Sequence, residues 1–306
     1  MSDNNKHAIL IMAHNNLWTL KKIIKILDSK YFDIFVHIDI KSSIEKKDLY
    51  NIVNVSKLYI YKEIDVKWGD YSQVECELLL LRESNLYSYS RYHLISGADM
   101  PLKSPKYIFE YFEKYKNKEF IHFESQKLSK EKEYWINYYY YFRKISRKNK
   151  FYKLLDEVSI RIQKLIGIKR TRNKNIKFMT GANWFSITND FAIYVLNNVE
   201  FINDCFKNTR SPDEMFLQTL LYNSNFKNNL YFDKFNNDYT NSISRYIDWE
   251  RGNPYIFRLE DYDELLNSNC IFARKFDEKV NKEIIEKIYN NIKKQWYKEV
   301  CVWLFI

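Results

Sequence analysis

The chain predicts an α/β protein with a central, mostly parallel sheet flanked by helices. Residues 8–13, an unbroken apolar run, and residues 34–39, apolar but for His37 and closing on Asp39, have the composition of strands buried on both faces. Between them Leu17, Leu20, Ile23, Ile24 and Leu27 recur at helical spacing, which gives a β-α-β start. Only 5 Gly and 4 Pro occur in 306 residues, so no flexible linker stands out and one continuous domain, 1–306, is expected.

The later elements follow in order. Residues 58–61 read as a third strand. After a loop at 66–72, in which Asp70 or Ser72 caps, a helix is predicted from about 73 to 87. Residues 92–96 form a fourth strand. Ser104-Pro105 pairs a capping residue with a proline suited to the first helical position, opening a helix to about 115. Residues 120–123 read as a strand ending at Glu124. Residues 125–175 change character: they are basic and Tyr-rich, with an amphipathic helix near 152–166, and are expected to form a mobile, partly helical insertion beside the site. Residues 178–187 return to strand, where Gly181 marks a bulge or a close backbone approach. Thr188 or Asn189 starts another helix. Residues 246–249 and 255–257 read as short strands, and 281–299 as an amphipathic terminal helix followed by an apolar end.

The bulk numbers narrow the function classes. Hydrophobic residues make up 46% and charged residues 29%, a globular balance. Net charge is +10, suited to nucleic acid, an anionic membrane surface or a phosphorylated substrate. No nucleic-acid motif accompanies the charge, so no nucleic-acid partner is expected. Cys76, Cys205, Cys270 and Cys301 are far apart and lack metal or redox spacing. With no signal peptide and no apolar run of 18 residues, a cytoplasmic protein is expected, reaching membrane-linked substrates peripherally at the inner face. In open α/β sheets ligands bind beyond the carboxyl ends of strands, and His14 and Asp39 stand at two such ends. No Gly-rich fingerprint follows the first strand, which excludes a common dinucleotide site.

The stretch Ser211-Pro212-Asp213-Glu214 carries the sharpest chemistry. Ser211 suits an N-cap and Pro212 the first helical position, which puts Glu214 in the first turn of a helix, near the positive end of its dipole. A carboxylate fixed there and facing a cleft suits a general base. The competing reading is a capping box, in which Glu214 only reaches back to a backbone amide.

Seven short stretches occur in collinear order: Ala13-His14-Asn15, Val36-His37-Ile38-Asp39, Trp68-Gly69-Asp70-Tyr71-Ser72, Ser96 through Ser104, Gly181 through Ser186, Ser211 through Glu214, and Phe272-Ala273-Arg274-Lys275-Phe276-Asp277. Together they resemble the core-2/I-branching enzyme family of glycosyltransferases, which includes peptide O-xylosyltransferases. The resemblance implies a GT-A type α/β fold and inverting transfer from a UDP-sugar, with GlcNAc or xylose the leading donors. It implies no divalent metal and no other cofactor, because basic side chains hold the diphosphate. Glu214 then matches the catalytic base. Lys275 matches the phosphate-binding lysine, and its arginine partner falls at Arg251, or else at Arg245. His14 and Asp39 match the nucleotide side and Asp99 the donor sugar. Glu124 and Trp249 match the acceptor side. An Asp-x-Asp at Asp261 and Asp263 reads as a helix start, not a metal motif. Lacking an anchor, the chain looks like a bacterial member, and such enzymes build surface polysaccharide on glycan or lipid-linked acceptors. A non-catalytic carbohydrate-binding scaffold on the same fold is the alternative.

Overall fold

A computed structural model describes residues 5–142, 149–171 and 175–303. Its centre is a six-stranded sheet. Strands β1 (His7–Ala13), β2 (Phe32–Ile38), β3 (Leu58–Tyr61) and β4 (Arg91–Ser96) are mutually parallel, in the spatial order β3-β2-β1-β4. A three-residue strand β5 (Asp99–Pro101) lies outside this sheet. Beyond β4 come β7 (Phe185–Thr188), antiparallel to it, and β6 (Phe120–Ile121) at the edge. A small second sheet joins β5 to β9 (Phe272–Arg274) and β9 to β8 (Arg245–Ile247). This is the α/β architecture, a central and mostly parallel sheet flanked by helices, that the sequence led us to expect.

Alternation along the strands sorts the core into two layers. Ala8, Leu10, Phe35, Tyr92 and Leu94 face helices α2 (Ser72–Asn85), α6 (Asn189–Asn197) and α8 (Phe216–Tyr222). Ile9, Ile11, Ile34, Val36 and Ile95 face α1 (Leu17–Leu27), α3 (Pro105–Lys114) and α11 (Lys282–Trp303). Both faces of each central strand are therefore covered, which is why the strands read as continuous apolar runs. Ser104 accepts a hydrogen bond from Tyr107 N and Thr188 one from Phe191 N, capping α3 and α6 as their sequences indicate. Asp261 closes a short 3₁₀ turn, Leu259–Asp261, by accepting from Arg258 N, and helix α10 (Tyr262–Asn267) follows. The Asp-x-Asp is thus a helix start.

Several boundaries differ from expectation. Residues 178–184 form no strand, and β7 begins only at Phe185. The predicted strand at 120–123 pairs only through Ile121, and 255–257 is not a strand. Helix α2 begins without a side-chain cap; Asp70 and Ser72 instead brace the preceding loop, through Ser72 N and Lys67 N respectively. The expected insertion contains α4 (Lys130–Asn137) and α5 (Lys150–Leu165). Helices α7 (Val199–Phe206) and α9 (Tyr239–Ile243) lie further along the chain. The predicted terminal helix reaches Trp303. The side chains of its apolar end lie outside the described residues, as does Cys301.

Candidate functional site

Charged side chains collect beyond the carboxyl ends of β1, β2 and β4. His14 follows β1 and is exposed; Asp39 follows β2 and is buried, its backbone N–H donating to Ala13 O. The Asp39 carboxylate accepts from Lys41 N at 2.9 Å and lies 3.4 Å from Lys41 Nζ. Partial desolvation lowers the pKa of His14. Asp39 opposes that shift, while the nearby cations Lys275, Arg274 and Lys41 reinforce it. Their mutual influence places His14, Asp39 and Lys275 in one neighbourhood. Beside them Asn16 holds α1 open with φ 58°, and its buried side-chain amide has no partner among the described residues.

Asp99 opens β5 and is almost fully buried. Its carboxylate accepts from Ser96 N, from Ser96 Oγ and from Arg274 NH1, the last at 2.7 Å. Both oxygens are committed to this clasp, so Asp99 acts on the site by fixing Arg274. The half-buried Lys275 is the next residue, and its ammonium has no hydrogen-bond or ion-pair partner among the described residues. The two candidate arginines separate clearly. Arg245 is buried between the sheets and donates to Leu94 O at 2.5 Å and to Phe185 O and Ile243 O. Burial lowers its pKa to about 10. With no surface through which to meet a diphosphate, Arg245 is a strut, which corrects its candidacy. Arg251 is exposed, ion-paired to Asp248, Asp261 and Glu264, and stacked on Tyr255 at 4.3 Å. Tyr255 O in turn accepts from Lys275 N.

A second cluster surrounds Glu214. Here the local expectation fails: Ser211 has φ 47°, makes no side-chain cap, and Glu214 closes a single 3₁₀ turn, Pro212–Glu214, not the first turn of a long helix. Glu214 does not reach back to cap either, so the capping box is absent and the dipole argument loses its basis. What holds the half-buried carboxylate is Lys132 of α4, whose Nζ lies 2.7 Å from Glu214 Oε2 and 3.8 Å from Glu124 Oε2. Glu124 also accepts from Thr180 Oγ1 at 3.0 Å. Tyr239 feels both carboxylates, stacks on His122 at 4.3 Å between centroids, and stands 6.1 Å from the exposed ring of Trp249. The fold therefore brings Glu214, Glu124 and Trp249 together.

Beneath this cluster α2 and the Pro212–Glu214 turn share buried acids. Gln73 Nε2 donates to Asp213 Oδ2 at 2.8 Å, while Glu77, one helical turn on, has neither carboxylate oxygen bonded among the described residues. Burial, with Glu214 adding to it, raises the Asp213 pKa to about 8, and burial with Asp213 raises that of Glu77.

One segment joins the two clusters. Gly181 N donates to Glu214 O at 2.9 Å, and Trp184, three residues on, lies under the Arg274 guanidinium at 4.6 Å. Gly181 is obligatory there, because a Cβ would fall 1.8 Å from His122 O. Lys132, Tyr239, Arg274 and Trp184 escaped the sequence-based list of site residues. Arg274 and Trp184 sit inside the matched stretches and were open to discovery. Lys132 and Tyr239 have no local signal in a chain this rich in Lys and Tyr. Among the described residues no group of three His, Cys, Asp or Glu side chains is arranged to hold a metal ion.

An α/β sheet with its chemistry gathered beyond the strand ends defines a ligand-binding α/β protein. Comparison then supplies the family. The family described as "Branch: Core-2/I-Branching enzyme" matches residues 8–268, and the chain belongs to it. It is similar to a beta-glucuronosyltransferase, GlcAT14B, of Arabidopsis thaliana, 25% identical over 127 residues. That match spans 39% of this chain and 27% of the plant protein's length. Mouse xyloside xylosyltransferase 1 in its apo form aligns over 88% of this chain and 96% of its own, with TM-score 0.35 and 8% identity.

Proposed function

We propose that this protein is an inverting, metal-independent glycosyltransferase that moves a sugar from a UDP-sugar to a glycan hydroxyl. The observation that carries the reading is the 181–184 segment: Gly181 N–H binds the backbone carbonyl of Glu214, and Trp184 lies under the guanidinium of Arg274, the neighbour of Lys275. Family membership supports the reaction class.

In this reading Glu214 takes the proton of the acceptor hydroxyl as its oxygen attacks the anomeric carbon. The bond from that carbon to the diphosphate breaks, and UDP leaves with the electron pair. Lys275 neutralises the leaving oxygens, with Arg251 the second cation once it exchanges a carboxylate for phosphate. His14, Asp39 and the unpartnered amide of Asn16 face the nucleoside, and Asp99 acts through Arg274. Trp249 and Tyr239 offer aromatic faces to the acceptor sugar, and Glu124 and Lys132 offer polar contacts. GlcNAc and xylose lead as donors, and the plant relative adds glucuronic acid to the panel. The place of the reaction in bacterial surface polysaccharide synthesis belongs to the same proposal.

The test is UDP release across a UDP-sugar panel with EDTA present, comparing the native chain with Glu214→Gln. One donor should be turned over despite EDTA, and the variant should bind UDP while losing transfer. Equal turnover by both proteins would remove Glu214 from its role, and complete loss with EDTA would remove the cation-only account of the diphosphate.

A further inference from the structure

Helix α5 is built the wrong way round for a helix of a soluble core. Its face toward the protein holds one core residue, Ile160, and two polar ones: Asp156 accepts from Phe142 N at 3.0 Å, and Gln163 bonds both the N–H and C=O of Tyr139. Its outward face carries Phe151, Leu154, Val158, Ile162, Leu165 and Ile166, all exposed, with Phe151 at 61% and Leu165 at 87%. These positions recur every three or four residues, so they form one continuous stripe along the helix. At 100° per residue, Lys150, Lys153, Arg161 and Lys164 fall along one edge of that stripe, with Glu157 the lone acid among them. Water alone gives no reason for such a face, since an exposed apolar patch of this kind marks an interaction surface.

We propose that α5 is an interfacial helix that seats the protein on an anionic lipid bilayer. Charge complementarity selects this occupant: an apolar stripe edged by Lys and Arg, on a chain of net charge +10, matches acyl chains below and acidic headgroups beside. No described helix is long and apolar enough to cross a membrane, and a helix lying in the interface plane requires none. The seat is coupled to the site. The Lys164 ammonium rests over Tyr134 of α4 at 4.5 Å, and α4 carries Lys132, which grips Glu214. If the function proposed above holds, this docking presents the acceptor side to the bilayer and favours acceptors that are lipid-linked.

The experiment is flotation of the full chain with vesicles of phosphatidylcholine alone or mixed with phosphatidylglycerol, at low and high salt. The native chain should float with the anionic vesicles, remain soluble with neutral ones, and release as salt rises. Leu154→Ser with Ile162→Ser and Leu165→Ser should weaken flotation at least about tenfold, given the apolar area removed. Lys150→Glu with Arg161→Glu, which leaves the stripe intact, should weaken it comparably. UDP release with a water-soluble acceptor should persist in both variants, so failure here is separable from failure of the catalytic reading. A native chain that never floats, variants that float equally well, or a native dimer that these substitutions convert to monomer would overturn the proposal.

Discussion

Both ends of the six-stranded sheet collect charge, but they handle it in opposite ways. At the amino-terminal end of the parallel strands, Arg91 is buried and donates to four carbonyls: Lys118, Ser186, Tyr115 and Lys116. Its last two acceptors lie just past the end of α3, where Tyr115 O also accepts from Lys118 N. Nearby, Glu119 accepts from Thr188 N and Oγ1, and Asp33 serves Lys6, Tyr89 and Lys57 N. At the carboxyl-terminal end, Lys275 is unpaired, the Asn16 amide is unsatisfied, and Glu77 has no partner among the described residues. Buried charge alone therefore does not mark a site in this molecule. What separates the two ends is saturation: these charges at the amino-terminal end are all closed on partners, whereas the carboxyl-terminal end mixes closed pairs, such as Asp99 with Arg274, with the open valences of Lys275 and Asn16.

The largest expected effect tests the open end. Glu214→Gln removes the proposed proton acceptor while keeping its shape, and on that proposal the rate of transfer should fall by about 10²–10⁴. UDP affinity and thermal midpoint should barely move. Unchanged kinetics, or a large loss of stability, would erase the distinction between the two ends.

Arg91→Met makes the matching break at the closed end. It takes a charged donor from four backbone carbonyls and should cost about 3–5 kcal/mol of stability, read by denaturant unfolding. Turnover per folded molecule should be preserved. A variant that folds normally but turns over slowly would place Arg91 in the chemistry.

The contrast also explains what the sequence made legible. The β-α-β start, the strands at 58–61 and 91–96 and the caps at Ser104 and Thr188 follow from local rules, namely apolar periodicity and side-chain capping. His14 and Asp39 stand where the chain must leave a strand end, as the sequence indicates, whereas Asp99, expected to face the donor sugar, is buried and clasped to Ser96 and Arg274. The cleft is not legible where a long-range contact sets the geometry. Ser211 looks like a helix cap but adopts a left-handed conformation because its N–H is held by Gly69 O, 142 positions away. Glu214 is placed by Lys132 from an insertion whose own sequence reads as surface. Arg245 and Arg251 lie six residues apart, and only the packing of the second sheet decides which is enclosed.

A smaller effect concerns the acids under Glu214. With its pKa raised to about 8, Asp213 is protonated in the folded chain over a range where the unfolded chain has ionised it. The folded state then binds more protons, so this group's contribution to stability declines as pH rises from about 4 to about 8. Asp213→Asn keeps a partner for Gln73 and removes that decline. The variant should gain on the native protein at pH 8, by about 1–3 kcal/mol, and little at pH 5, with melting curves at both values as the measurement.

The smallest effect belongs to the closed end and runs the other way. His7 Nδ1 lies 3.0 Å from His93 Nε2, His7 Nε2 2.9 Å from Glu113 Oε1, and His93 Nδ1 2.8 Å from Ser186 Oγ. Burial lowers the His7 pKa to about 4, with the Glu113 hydrogen bond opposing and Arg91 assisting, and burial drives His93 well down too. An unfolded chain protonates these rings near their ordinary pKa, before the folded one does. The contribution of these rings to stability should therefore be flat above about pH 6.5 and fall as pH drops toward 4. His7→Gln removes one titrating ring and should make the fall of the melting midpoint between pH 6.5 and 4 measurably shallower. The pH–rate profile near neutrality should not change, because no member of this network touches the cleft. A shifted rate profile in that variant would mean that the two ends of the sheet communicate, and saturation would no longer separate structure from function.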